Sequence, residues 1–299
     1  MENSGIYTVG VDVGGTHVRF GLLEPDGRLT ELRKFDRLSV LPDEEPAALG
    51  DALRDYIREC GKPVSAIGIG IPGTLSRDCK STLKVPNIPA LTGLNYADMV
   101  AERAGVPVTL ENDTVMLLNG DLHRLELPPA GVILGVYIGT GLGSALFLDG
   151  KSLKGRNCLN ELGHFPLPGK KEKCTCGNLG CAENYVSGRW LQGLRAEKFP
   201  DTHISEMFTA MQGTEYLAEY VDTLACLLAG CVNLMDPELL IVGGGLPAMK
   251  DYPRAALDAA VREKCMKPEP ANSLQLVWSQ DSDETGALGA AWLARSIME

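Results

Sequence analysis

One pattern constrains this chain more than any other: an apolar strand runs into a glycine-rich turn and returns as a second strand, and this happens twice. Residues 6–13 are an apolar, β-rich run ending in Gly14-Gly15-Thr16, and residues 18–23 follow as a second strand. Residues 132–138 repeat the device, ending in Gly139-Thr140-Gly141-Leu142-Gly143, with residues 145–148 as hairpin partner turning at Asp149-Gly150. In both halves αβ units follow. After the first hairpin, the turn Glu24-Pro25-Asp26-Gly27 sends residues 29–35 back as a third strand. Leu49, Leu53, Ile57 and Cys60 recur at helical spacing, with Gly61 as the C′ residue. Residues 64–71 form a buried strand closed by Pro72-Gly73, residues 96–104 a helix before Gly105, and residues 107–110 a strand delivering Glu111-Asn112-Asp113.

In the second half a helix over residues 216–234 is stopped by Pro237, and a strand at 239–242 ends in Gly243-Gly244-Gly245. A last helix runs over 285–297. Two such halves predict two α/β domains with a cleft between them, as expected for 299 residues. The pattern breaks between residues 118 and 129, at Pro128-Pro129. We therefore expect an N-terminal domain over 1–120 and a C-terminal one over 121–284, with an irregular Gly- and Cys-rich insertion at about 155–188. The final helix, about 285–298, is expected to pack back on the first half.

Charge narrows the function. Lys and Arg number 28 against 39 Asp and Glu, a net charge of −11, which repels nucleic acid and anionic membranes over most of the surface. It does not exclude a nucleotide held by backbone N–H groups and Mg²⁺. No apolar run reaches the ~20 residues needed to span a bilayer, and residues 1–7 are short and polar, without the look of a secretory leader. A cytoplasmic setting follows as the expectation, so the nine Cys read as reduced thiols or metal ligands.

Three groups of residues carry chemistry. The first is the set of turns: Gly14, Gly15 and Thr16 with His17, then Gly139, Thr140, Gly141 and Gly143, then Gly243, Gly244 and Gly245. Each follows a buried strand, and glycine there permits positive φ and close approach of backbone N–H groups to an anion. Tight hairpins alone would also use glycine. None is a phosphate loop of the G-x-x-x-x-G-K-[ST] type, and none fits the dinucleotide fingerprint, because the first two turns lead into strands rather than helices. The second group is Asp12 and Asp113, each beside a turn at a strand end. Phosphoryl transfer needs a cation and a proton acceptor; Asp12 suits Mg²⁺ and Asp113 suits the general base, although Asp113 could instead cap the helix it precedes. The third is His164 with Cys174, Cys176 and Cys181, the ligand set of a structural tetrahedral zinc site with no open position. Cys60, Cys79, Cys158, Cys226, Cys231 and Cys265 show no such spacing.

Four segments together resemble the repressor–ORF–kinase (ROK) family of sugar kinases and sugar-responsive repressors. They are Gly10-Val11-Asp12-Val13-Gly14-Gly15-Thr16, Glu111-Asn112-Asp113, Gly139-Thr140-Gly141-Leu142-Gly143, and Glu161-Leu162-Gly163-His164 leading to Cys174-x-Cys176-Gly177-x-x-Gly180-Cys181-x-Glu183. The resemblance spans essentially the whole chain and implies the two-domain actin-like, ribonuclease H-like ATPase fold with an interdomain cleft. It implies ATP-dependent phosphorylation of a hexose, usually at C6, with Asp113 as base and domain closure to exclude water. Gly73, Asn87, Asn112, Asp113, Glu161, His164 and Glu183 fall at sugar-binding positions, so His164 would serve sugar and zinc through different ring nitrogens. The expected partners are a hexose, Mg-ATP, structural zinc and further copies of the chain in a homodimer or homotetramer, with no nucleic acid and no membrane. Thr114-Val115 stand where the family often has Ala-Asn, Ala182 where Leu is usual, and Asn184 where Thr is frequent. Scaffold stretches such as Ser76-Arg77-Asp78 and Pro86-Asn87-Ile88-Pro89 resemble family members acting on D-allose, with glucose and N-acetylmannosamine as alternatives. A sugar-responsive repressor is the non-enzyme alternative, but the first strand at residue 6 leaves no room for a leading helix-turn-helix.

Overall fold

The glycine-interrupted apolar runs form hairpins, and each hairpin founds a sheet. In the computed structural model of the chain, which describes residues 5–156, 160–280 and 283–298, β1 (Tyr7–Val13) and β2 (His17–Leu23) pair antiparallel, with Val13 opposite Val18 and Asp12 opposite Arg19. β3 (Leu29–Asp36) adds antiparallel to β2. A short helix α1 (Arg37–Val40) and the amphipathic α2 (Ala48–Cys60) follow; α2 buries Leu49, Leu53 and Tyr56 and ends at Gly61, whose φ of 63° is the left-handed conformation glycine favours. Then come β4 (Val64–Ile71), a small hairpin of β5 (Thr74–Leu75) and β6 (Thr82–Lys84), α3 (Tyr96–Ala104), β7 (Val108–Asn112) and α4 (Asp113–Arg124). The sheet order is β3-β2-β1-β4-β7, with β1, β4 and β7 parallel. Val9, Val11, Ile67, Ile69 and Ile71 are fully buried, which explains continuous apolar runs in place of alternation.

The second sheet repeats the order of directions. β8 (Val132–Ile138), β9 (Leu142–Leu148) and β10 (Lys151–Ser152) form an antiparallel meander. After α5 (Glu183–Val186), α6 (Gly188–Lys198), α7 (Met207–Ala210) and α8 (Glu215–Met235), β11 (Leu239–Gly243) joins parallel to β8. α9 (Arg254–Lys264) leads to β12 (Leu276–Trp278), giving the order β10-β9-β8-β11-β12. α8 is long and apolar enough to cross a bilayer. Its Tyr220, Leu224, Leu228 and Val232 nevertheless lie in the core of this sheet's unit, beside Val136, Leu240 and Val242.

By internal contacts one unit comprises Met1–Pro128, Lys154–Cys158 and Ser282–Glu299, and the other Pro129–Leu153 and Leu159–Asp281. Cys158 and residues 157–159 of the expected insertion, like residues 1–4 of the polar start, lie outside the described residues. The hairpin β5–β6, the short β12 and the helix α9 have no counterpart in the elements expected from sequence. β9 also begins at Leu142, so Leu142 and Gly143 are strand rather than turn.

The C-terminal helix, Thr285–Met298, is part of the first unit and lies against β1, β4 and α4. Glycines make the fit possible. A Cβ on Gly10 would stand 1.8 Å from the Ala287 carbonyl oxygen, one on Gly68 2.0 Å from that of Ala290, and one on Gly120 2.0 Å from that of Thr285. Gly289 returns the contact, 1.9 Å from the Met116 carbonyl oxygen. Backbone meets backbone with no side chain between, and Thr8 Oγ1 and Asn119 Nδ2 add hydrogen bonds to the helix carbonyls of Ala291 and Gly289, each at 2.8 Å. Gly68→Ala should therefore destabilise the protein by about 3 kcal/mol, because the methyl group strikes main chain that cannot rotate away. Gly230→Ala, in α8 with nothing within 4 Å, should instead add about 0.5–1 kcal/mol. Urea unfolding of both variants checks the pair; equal effects would contradict the steric reading.

Candidate active site

In an open parallel sheet, ligands meet the carboxyl ends of the strands, where loops and helix N-termini converge. In the first unit, β1, β4 and β7 are parallel neighbours. Asp12 lies opposite Gly70, and Gly70 opposite Glu111, so the carboxyl ends of all three strands fall on one edge. Beyond that edge come Gly14-Gly15-Thr16 after β1, Gly73 after β4, and Asn112-Asp113 at the junction of β7 and α4.

The capping role weighed at Asp113 falls to its neighbour. The cap of α4 is Asn112: its Oδ1 accepts from the Thr114 N–H at 3.0 Å and from the Thr114 hydroxyl, while its Nδ2 donates to the Gly73 carbonyl at 3.1 Å. Asp113 is the first helical residue and half-buried, and its Oδ1 shares the Thr114 N–H at 2.9 Å. The expected sugar residue Asn112 is thus engaged with its own unit through both ends of its amide. Gly73, at φ 138°, cannot carry a side chain, since a Cβ would stand 2.3 Å from the Lys84 carbonyl oxygen. Asn87 is exposed.

Asp12 faces a cation that it shares with another acid. Arg19 Nη1 lies 3.3 Å from Asp12 Oδ2, but Arg19 Nη2 is closer to Asp283, at 2.6 Å, and Lys34 also pairs with Asp283 at 3.2 Å. Burial pushes the Asp12 carboxyl above the usual aspartate range, and the divided charge of Arg19 pulls it back only in part. A carboxylate desolvated this way, with its counter-charge shared, fits a divalent cation. Among the glycines of the three phosphate-type turns, only Gly244 has positive φ, at 95°. At Gly15, Gly139 and Gly245 a Cβ would meet no atom within 4 Å. What these glycines supply is bare space above the N–H groups.

In the second unit, β8 and β11 are parallel neighbours and end at Ile138, just before Gly139, and at Gly243. The turn between β8 and β9 is fastened to α6: the Gly188 N–H donates to the Gly139 carbonyl at 2.8 Å, and the Arg189 N–H to the Thr140 carbonyl at 3.2 Å. Glu183, buried, lies under the same turn, its Oε2 3.0 Å from where a Gly141 Cβ would be. Gly244 runs against β8, 2.6 Å from the Ile138 carbonyl oxygen by the same measure.

His164, Cys174, Cys176 and Cys181 are brought together, with donor atoms all within 4.8 Å of one another. Cys176 Sγ and Cys181 Sγ are 3.6 Å apart, as are Cys174 Sγ and His164 Nδ1. Zinc bond lengths at tetrahedral angles place such atoms roughly 3.5–3.8 Å apart, so the set fits a tetrahedral ion. Burial, then the neighbouring Cys176 and Cys174, pushes the Cys181 thiol up to about 12, while the Asn178 backbone N–H lowers Cys176. Such a cluster ionises readily only around a cation. His164 Nε2 faces Glu161, 3.8 Å away, and Nδ1 faces Cys174 and Glu183, the latter at 3.6 Å. Glu161 and His164 also line a cavity of about 370 Å³ with Ser144, Asn160 and Leu134.

Residues 8–297 match the model of the ROK family. An N-acetyl-D-glucosamine kinase of Pectobacterium carotovorum subsp. carotovorum (strain PC1) is 34% identical over 79% of this chain and 83% of its own. Two solved structures are each 27% identical. One is a ROK family glucokinase from Streptomyces griseus in complex with glucose and AMPPNP, at a TM-score of 0.79 over 97% of this chain and 99% of that one. The other is a ROK hexokinase from Thermus thermophilus, at 0.81 over 98% and 99%.

Several residues at the site escaped the sequence reading. Arg19 was findable, because a hairpin closed at Gly14-Gly15-Thr16 sets position 19 opposite Asp12. Arg37, whose Nε donates to the Gly15 carbonyl at 3.1 Å, gave no signal, since its reach depends on the turn into α1. Lys154 pairs with the buried Glu111, whose Oε1 accepts the Asn112 N–H at 2.9 Å. Lys154→Met should strand that carboxylate and lower stability by about 1–2 kcal/mol, less than for a fully buried pair because the lysine side chain is 38% exposed. Adding Glu111→Gln should recover most of the loss. Thermal unfolding of the single and double variants tests this; a single variant as stable as wild type would show the pair to be idle.

Proposed function

Because this chain belongs to the ROK family and is a sugar kinase, we propose that it transfers the terminal phosphoryl group of Mg-ATP to the C6 hydroxyl of a hexose, with Asp113 accepting the hydroxyl proton. One observation carries this reading: the capping duty at α4 lies with Asn112, so Asp113 stands at the carboxyl edge of β1, β4 and β7 without having to close the helix. In the proposed site Asp12, Gly14, Gly15, Thr16 and His17 attend the phosphates of ATP, as do Gly139, Thr140, Gly141 and Gly143. Gly243, Gly244 and Gly245 flank its nucleoside. Gly73, Asn87, Asn112, Glu161, His164 and Glu183 hold the hexose.

Asp113 raises the nucleophilicity of the hydroxyl as its proton leaves, and the N–H groups above the bare glycines stabilise charge on the transferred group. Asp12 would hold Mg²⁺ through water, and the ion would supply the positive charge that a γ-phosphoryl transfer requires. His164, Cys174, Cys176 and Cys181 would hold zinc, which would supply a rigid crosslink rather than a catalytic position. His164 then keeps Nδ1 for the metal side and Nε2 for the Glu161 side, so the cluster fixes the ring that faces the sugar.

The hexose is read as glucose or a 2-acetamido relative of it, on the strength of relatives named for N-acetyl-D-glucosamine and glucose. The D-allose expectation rests on scaffold stretches alone. A panel of D-glucose, N-acetyl-D-glucosamine, N-acetyl-D-mannosamine and D-allose ranked by kcat/KM decides among them.

Asp113→Asn should keep hexose binding by calorimetry and lower kcat by about two orders of magnitude or more in a coupled ADP-release assay. Turnover near wild type would remove Asp113 from the role of base. Native mass spectrometry should find one zinc per chain. Stripping it should loosen residues 160–188 to proteolysis and weaken hexose affinity; a zinc-free chain with full activity would overturn the zinc assignment.

A further inference from the structure

The Asn112 amide has unequal ends. Its oxygen takes two donors from one neighbour, the Thr114 N–H at 3.0 Å and the Thr114 hydroxyl, which fills both lone pairs. Its nitrogen gives one hydrogen to the Gly73 carbonyl at 3.1 Å, which leaves the second N–H. The orientation is not in question, because a main-chain N–H can only meet oxygen and a main-chain carbonyl can only meet the NH₂ group. The backbone N–H of residue 114 would be present with any side chain, but the hydroxyl belongs to threonine. With the alanine that the resembling family often has after the aspartate, one lone pair of Asn112 Oδ1 would stay open.

We infer that Thr114 sets sugar selectivity by closing the Asn112 carbonyl, so that the hexose hydroxyl facing Asn112 is bound only as an acceptor, from Nδ2–H. The inference rests on the placement of Asn112 at the sugar under the kinase reading. Thr114 is a positioning residue: it acts on the substrate through Asn112. The surroundings hold the arrangement in place. The Asn112 main-chain N–H is tied to Glu111 Oε1 at 2.9 Å, and Glu111 is paired with Lys154, which braces the backbone, while the Nδ2 bond to the Gly73 carbonyl at 3.1 Å holds the side-chain amide. Opening the carbonyl would let the same hydroxyl donate as well as accept, adding a hydrogen bond that a fluorine in its place cannot make.

The test compares the parent hexose with its deoxyfluoro analogues, which accept weakly and do not donate, in wild type, Thr114→Ala, Thr114→Val and Thr114→Ser. In the alanine and valine variants the ratio of kcat/KM for the parent over one analogue should rise about five-fold, the scale of one neutral hydrogen bond, and the change should sit in the sugar KM. KM for ATP should stay within about two-fold of wild type. Thr114→Ser, which keeps the hydroxyl, should return the wild-type ratio. The valine variant keeps the branched shape and carries the test if the alanine variant unfolds. Unchanged ratios in folded, active variants would overturn the role of Thr114 alone. So would a loss confined to kcat, or a serine variant that behaves like alanine. A wild-type chain that releases no ADP with any hexose would instead overturn the kinase reading, and this inference with it.

Discussion

The first unit depends on one steric condition: the C-terminal helix must reach the backbone of β1, β4 and α4 with nothing in between. Gly10, Gly68, Gly120 and Gly289 meet it from both sides, each with a main-chain oxygen near 2 Å from where a Cβ would be. The consequence reaches the chemistry. β1 carries Asp12 at its end, and α4 begins with Asp113, so the helix that clamps both elements also sets the two acids in register. Gly286, at the start of that helix, comes so close to Asp12 that a Cβ would lie 2.8 Å from its carboxyl carbon. An aspartate held against a helix N-terminus sits where the exposed N–H groups favour an anion. Burial opposes that benefit and wins, since the Asp12 carboxyl titrates above the ordinary range.

That balance suits the cation proposed at Asp12, because a carboxylate placed to receive a cation is electrostatically incomplete without it. Arg19 could have neutralised Asp12 alone, but it makes its shorter contact with Asp283. The cysteine cluster follows the same logic with thiols, where burial and crowding hold Cys181 protonated and only an ion would relieve the crowding. Glu111 shows the contrast. It is buried deeper than Asp12, yet Lys154 answers it directly, as suits a carboxylate that braces the Asn112 main chain rather than one awaiting a ligand.

Much of the fold was legible because its signals are local. The strands Val64–Ile71 and Val132–Ile138 and the helix Tyr96–Ala104 stand at the bounds that apolar runs and terminal glycines predict. The hairpin β5–β6 and the strand β12 were not, because two or three residues carry no periodicity and their pairing is decided by tertiary contact. At the site the four metal-type ligands were readable from residue type and spacing. The reason for the glycines was read less well. Glycine permits either positive φ or close approach, and in the three turns positive φ occurs only at Gly244; sequence shows that a side chain is missing but not whether backbone angle or open space requires it. Lys154 was out of reach altogether, since its partner Glu111 is remote in sequence and only the folded chain brings them together.

The division of labour at residues 112 to 114 shows why a motif read residue by residue understates its chemistry. An aspartate that follows a strand and starts a helix satisfies the rule for a cap as well as the rule for a base, and sequence offers no way to choose. The structure gives the cap to the position before it. Asn112 takes extended angles, φ −64° and ψ 142°, and the cap; Asp113 takes the first helical position; Thr114 supplies the donors that make the cap work. Moving the cap to a neutral amide has a chemical result. A carboxylate used as cap would carry its charge into the helix terminus, whereas an asparagine satisfies the same N–H without charge, as suits the proposed role of the acid beside it. The three residues are therefore coupled, because the amide that caps the helix takes both of its donors from Thr114.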